Sequence, residues 1–180
     1  MFIDIHDLEL RPVEFDREFP PGTFELGPDA VQSAPLKAKG HAELLTEHRG
    51  GRMKSIEDIR VVAGFSTTLQ INCARCLEPV TRDVKRDFDL IYRPQGVDAG
   101  PEEISVTQAE AEIGYYAGDG LELEDVLREQ LVLAVPVKTV CREDCKGLCP
   151  HCGKDLNAGP CNCKPQPADP RWDALKNLKI

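Results

Sequence analysis

Eight cysteines stand at positions 73, 76, 141, 145, 149, 152, 161 and 163 of a 180-residue chain, clustered in close pairs rather than scattered. Cysteines so grouped commit a chain to disulfides, to redox chemistry or to metal. Disulfides need an oxidising compartment. The first ten residues, MFIDIHDLEL, carry three acids and no basic n-region, so no secretory signal is expected. Eight cysteines in 180 residues are also too sparse for a disulfide scaffold. A thioredoxin-like pair at Cys73 and Cys76 would need a helix N-terminus beneath the attacking sulfur, whereas β-type sequence flanks the pair and Pro79 follows closely.

Zinc suits the spacing best. It takes four ligands in a tetrahedron, and in structural sites these are paired thiolates on tight turns. Cys149-Pro-His-Cys152-Gly-Lys is such a knuckle, with Gly153 free to turn backbone amides towards the sulfurs, and Cys161 and Cys163 complete a local set of four. The remaining set is Cys73, Cys76, Cys141 and Cys145, which would staple a hairpin tip to a segment far along the chain. Cys145 also has the option of joining the C-terminal set. Four thiolates leave no open position for water, so two structural zinc sites are expected rather than a catalytic one. His151 is read as pointing to solvent, and His6, His41 and His48 lack metal spacing.

Around the cysteines the chain reads as mainly β. Phe2 to Leu10 gives one apolar strand, and Val13, Phe15 and Phe19 suggest a second. Leu36 to Thr46 partly alternates, and His48 to Gly51 makes a turn. Ile59 to Ile71 is a long β-rich run with Gly64 at a bulge, and Val80 to Tyr92 pairs antiparallel with it, leaving residues 73–76 at the tip. Ile104 to Val106 and Ile113 to Tyr116 read as short strands. Residues 121–134 read as a helix with Val126, Leu127, Leu131, Val132 and Val135 on one face, acids in its first turn and Pro136 as its stop. Asp169 and Pro170 open a short helix carrying Trp172, Leu175 and Leu178. The expected fold is α+β and mainly β: a curved antiparallel sheet or barrel-like domain over residues 1–136, then a cysteine-rich, zinc-binding extension over 137–180.

Net charge is −9, divided as +3 from residue 138 onwards and −12 before it. An acidic body with a mildly basic tail fits a protein partner before nucleic acid. Arg75, Arg82, Lys146 and Lys154 lie by the knuckles, where they either meet phosphates or balance thiolate charge. No phosphate-binding glycine loop, nucleophile elbow, zinc-protease helix or dinucleotide fingerprint occurs, and no apolar run is long enough to span a membrane. A cytoplasmic protein without a small-molecule substrate is expected.

Several motifs occur together: Cys73-Ala-Arg-Cys-Leu-Glu-Pro79, Leu131-Val-Leu-Ala-Val-Pro136, Cys145-Lys-Gly-Leu-Cys-Pro-His-Cys-Gly-Lys-Asp-Leu-Asn157, Cys161-Asn-Cys163 and Asp169-Pro-Arg-Trp-Asp-Ala-Leu175. In that order they resemble the YceD family of bacteria and plastids, a family associated with accumulation of the large-subunit (23S) ribosomal RNA. The resemblance runs from about residue 73 to 178 and implies a non-enzymatic role in large-subunit biogenesis, through pre-ribosomal RNA or a ribosomal protein. It supplies no catalytic residue. The rivals are a zinc-dependent RNA-processing enzyme, which needs an open metal position, and a zinc module that only tethers a protein.

Overall fold

The computed structural model describes residues 1–47, 55–97 and 113–164. Its chain order is β1 (Phe2–Asp4), α1 (Ile5–Leu10), β2 (Val13–Phe19), β3 (Ala30–Gln32), β4 (Leu36–Glu47), β5 (Ile56–Asn72), β6 (Pro79–Pro94), β7 (Gly114–Tyr116), β8 (Gly120–Glu122) and α2 (Leu123–Ala134). The main sheet runs β2-β4-β5-β6-β7, with β3 continuing the β4 edge of β5. It is open, so the barrel-like form of the expectation is not the one adopted. The pairs are antiparallel except the last, where β7 lies parallel to β6. A separate two-stranded ribbon joins β1 to β8.

β5 and β6 are the spine. Their register runs unbroken from Ile59–Tyr92 to Asn72–Pro79, so the turn between them carries residues 73–78 at the far end of a long hairpin. In β5 the odd-numbered positions Ile59, Val61, Ala63, Phe65, Leu69 and Ile71 are buried, the period-2 pattern of a sheet with one covered face. The expected bulge at Gly64 is absent, because pairing passes straight through it to Lys39 and Asp87. A Cβ there would stand 2.2 Å from the Asp87 Oδ1, so close approach accounts for this glycine.

α2 covers the buried face. Leu123, Val126, Leu127, Gln130 and Leu131 are buried at helical spacing and join the sheet residues in one core. Val132, expected on that face, is instead exposed. Glu124 and Asp125 occupy the first turn, and the helix ends at Ala134, before Pro136.

The segment expected as a strand over residues 2–10 divides. Only Phe2–Asp4 is extended, and Ile5–Leu10 is helical. Asp4 caps that turn by accepting from the His6 N–H at 2.8 Å, and Leu8 is its buried residue while Leu10 faces solvent. The turn at 48–51, the strand at 104–106 and the helix at 169–178 lie outside the described residues.

At the end of the spine opposite the knuckle, Arg93 and Asp58 form a buried pair, with Nη2 donating to Oδ2 at 2.8 Å and Nε donating to Oδ1 at 3.1 Å. Removing the Asp58 carboxylate takes two charge-assisted hydrogen bonds from a buried guanidinium. Asp58→Ala is expected to cost about 2 kcal/mol or more in urea unfolding, against under about 1 kcal/mol for Asp16→Ala at the exposed Lys39 pair.

Candidate metal centre

The hairpin tip and the Cys149 segment are one turn built twice. At the tip, the Cys73 N–H donates to the Glu78 carbonyl at 2.9 Å and the Leu77 N–H to the Cys73 carbonyl at 2.9 Å. In the second, the Cys149 N–H donates to the Lys154 carbonyl at 2.8 Å and the Gly153 N–H to the Cys149 carbonyl at 2.9 Å. In both, the residue after the second cysteine is left-handed: Leu77 at φ 64° and Gly153 at φ 71°. Glycine adopts that region freely, whereas an L-residue costs about 1–2 kcal/mol there.

The first turn receives a strap that leaves α2 and runs alongside it. The Ala74 N–H donates to the Thr139 carbonyl at 2.8 Å, and Arg82 Nη2 to the Val140 carbonyl at 3.2 Å. Arg75 holds the strap in both directions. Its guanidinium donates to the carbonyls of Glu143 (2.8 Å) and Cys145 (2.9 Å), and its own carbonyl accepts the Leu148 N–H at 2.9 Å. Gly147, at φ 72°, passes so near that a Cβ would lie 2.8 Å from the Arg75 carbonyl oxygen.

This strap brings Cys141 and Cys145 to Cys73 and Cys76. The four sulfurs lie within 4.8 Å of one another, with 4.0 Å between Cys73 and Cys145 and 3.7 Å between Cys76 and Cys141. Cys149, Cys152, Cys161 and Cys163 form a second such group, with Cys149 and Cys161 3.4 Å apart. None of the eight is in a disulfide. Thiolates about 2.3 Å from a tetrahedral zinc stand roughly 3.8 Å apart, so both groups have the size and donor set for that ion. Cys145 belongs with the hairpin group, and no histidine enters either. Among the described residues no third group of His, Cys, Asp or Glu converges in this way.

The surroundings divide the sulfurs of each group, drawing Cys73, Cys145 and Cys149 down and pushing Cys76, Cys141 and Cys163 up. N–H groups of Arg75 and then Cys76 pull the Cys73 thiol down to about 6. N–H groups of His151 and then Cys152 bring Cys149 down to about 6 as well. Cys163 is pushed up to about 12, first by its hydrogen bond with Cys152. Each group thus shares protons that a divalent cation would displace.

Three of the four cations singled out from the sequence are used internally. Arg75 and Arg82 hold the strap, and Lys154 Nζ donates to the Pro160 carbonyl at 2.9 Å. Lys146 is exposed, and among the described residues only its backbone N–H is engaged, with Asn157 Oδ1 at 2.8 Å. Asn157 escaped the sequence reading. It also accepts from Arg142 and donates from Nδ2 towards the Cys145 sulfur at 3.5 Å, so it touches the first group while lying between two cysteines of the second. An asparagine in a loop has many uses, and spacing alone does not distinguish this one.

A mainly β body with one main helix and two four-cysteine groups, the first clamping a hairpin tip, defines a class of cysteine-clustered two-layer proteins. The family model described as large ribosomal RNA subunit accumulation protein YceD matches residues 61–179, and the chain belongs to that family. An uncharacterized protein of Mycobacterium tuberculosis is 32% identical over 128 residues, covering 71% of this chain and 59% of that protein. The large ribosomal RNA subunit accumulation protein YCED homolog 1, chloroplastic, of Zea mays is 26% identical over 123 residues, 56% of this chain and 42% of that protein. Its Arabidopsis thaliana namesake is 29% identical over 135 residues, 63% and 42% respectively. The chain therefore spans well under two thirds of the length of these relatives. No solved structure matches it significantly. Among the described residues no helix is long and apolar enough to cross a membrane.

The repeated turn makes an asymmetric prediction. Leu77→Gly relieves the left-handed strain and is expected to leave stability within about 1 kcal/mol, whereas Gly153→Leu introduces that strain at a cost of about 1–2 kcal/mol. Thermal unfolding of both variants, each with its metal content assayed, checks this.

Proposed function

We propose that this protein is a non-enzymatic factor in large-ribosomal-subunit biogenesis, acting in a compartment that keeps thiols reduced. In this reading its eight cysteines hold two structural zinc ions, one bound by Cys73, Cys76, Cys141 and Cys145 and the other by Cys149, Cys152, Cys161 and Cys163. The zinc supplies cross-linking. Four thiolates fill its coordination, so the chemistry available is to hold residues 137–180 against the body formed by residues 1–136. The observation that carries the reading is the pair of complete sulfur tetrads in a chain of the YceD family.

The partner most compatible with the charge is a basic ribosomal protein. The body carries the acidic excess, and the arginines beside the first tetrad already bond to carbonyls. Contact with pre-ribosomal RNA is the second reading. It draws on Lys146, Arg142 and Lys164, which are exposed on the cysteine-rich extension.

Elemental analysis of protein purified under reducing conditions is expected to give about two zinc per chain, as two closed tetrads require. Depletion is expected to lower mature large-subunit RNA, and unchanged RNA and subunit profiles would sink the biogenesis role. Ribonuclease separates the partners. Treatment is expected to abolish binding that runs through RNA and to leave a complex with a basic ribosomal protein intact. Binding to RNA through three phosphate contacts is expected to weaken roughly 20- to 40-fold between 50 and 200 mM salt.

A further inference from the structure

We propose that the second tetrad is an exchangeable zinc site that folds and opens residues 149–163 as metal supply changes, while the first is a fixed fastening. This rests on the reading of both tetrads as zinc sites. The two have the same ligands and different surroundings.

At the first, Cys73, Cys76 and Cys145 are buried, Cys73 completely, and Val80, Val140 and Leu148 pack around them. Its sulfurs also receive hydrogen bonds from outside the tetrad's own side chains: Cys73 from the N–H groups of Arg75 (3.5 Å) and Cys141 (3.4 Å), and Cys145 from Asn157. Such donors orient thiolates and lower the tendency of a metal to leave. At the second, Cys149 also receives N–H hydrogen bonds, from His151 and Cys152, but it alone is buried, Cys161 is half-buried, and Cys152 and Cys163 are exposed.

Thiolate exchange at zinc proceeds by an incoming donor entering the coordination sphere before a sulfur leaves. The side bearing Cys152 and Cys163 admits such a donor, whereas the first tetrad exposes only Cys141. The ion passes intact to the competing chelator, each freed thiolate takes a proton from water, and no electron moves.

Residues 149–163 have almost no core of their own. From Cys149 to Cys163 only Cys149 is buried. The segment's remaining hydrogen bonds either lie within it, as Cys149 N–H to the Lys154 carbonyl and Lys154 Nζ to the Pro160 carbonyl do, or reach only the adjoining residues 142–147, through Leu156 N–H to the Gly147 carbonyl and the Asn157 side chain. Metal is therefore its core, and releasing the ion releases the fold of this segment while the sheet persists. Asn157 links the two events. When the segment opens, Cys145 loses the Asn157 donor, so the first tetrad loosens only after the second.

The test uses the full chain carrying two zinc ions, mixed with excess of a chromophoric zinc chelator, with timed alkylation of freed thiols read by mass spectrometry. Two release phases of about one zinc each are expected, separated by about tenfold or more in rate. Cys152 and Cys163 should be alkylated in the fast phase with the β-sheet circular dichroism unchanged. Cys163→Ser is expected to abolish the fast phase alone, and Asn157→Ala to speed the slow phase. A single phase, or alkylation of Cys73 and Cys76 ahead of Cys152 and Cys163 in the unaltered chain, overturns the proposal. Protein that holds no zinc as purified would instead remove the zinc reading beneath it, an outcome seen before any chelator is added.

Discussion

The structure depends on the closure between the β5–β6 hairpin tip and the strap after α2. The closing contacts join Cys73 and Cys76 to Cys141 and Cys145 across a loop of 64 intervening residues. A covalent cross-link over such a loop is worth about 4 kcal/mol in lost unfolded-state entropy, and a metal bound to all four sulfurs acts in the same direction. The residues enclosed include β6, β7, β8 and α2, so one fastening constrains two strands of the main sheet, one strand of the ribbon and the helix that covers the sheet. Arg75 is its backbone counterpart. Lying between two of the sulfurs in sequence, it donates to two strap carbonyls and accepts from a third strap residue.

The cysteine pairs were legible because knuckle spacing is local and each knuckle supplies two sulfurs, whereas Cys145, which spacing left open to either set, is assigned by the strap that carries it to the hairpin tip. The long hairpin was legible for a related reason: Ile59 to Ile71 and Val80 to Tyr92 both show period-2 burial, and only the tip joins them. The first helix was not legible. Six residues present too little periodicity to outweigh an apolar run, and the deciding contact is the Asp4 side chain closing on the His6 N–H. β3, three residues long, exists because β5 outruns β4 and leaves Ile71, Gln70 and Leu69 to be paired. The parallel set of β7 depends on where the chain returns after β6, and pattern does not encode that.

Gly64 and Leu77 show the limits of reading a residue type as a conformation. A glycine in a strand suggested a bulge, and the strand is regular there because the glycine makes room for Asp87. A leucine after a cysteine pair suggested nothing, yet it takes the backbone conformation that its counterpart Gly153 takes at no cost. The surrounding hydrogen bonds over-determine that turn and hold a leucine where propensity would place glycine. The same bonding explains why basic residues near the sulfurs were ambiguous from sequence. Arginine next to a knuckle has the right charge for phosphate and the right reach for a carbonyl, and only coordinates tell them apart.

The distance along the chain between the two halves of the first tetrad also sets an order of synthesis. Cys73 and Cys76 leave the ribosome 65 residues ahead of Cys141. At about 5–20 residues per second, that is a gap of several seconds in which the tip offers two sulfurs and no partners. The second tetrad spans only residues 149–163, all of which emerge within a few seconds of one another at the same rate. The first tetrad is thus completed by Cys145 only a few residues before the second begins, and the fastening of the body waits for a strap made long after its hairpin. During translation, then, the nascent hairpin tip carries a reactive two-thiol intermediate whose fate depends on how quickly the rest of the chain follows.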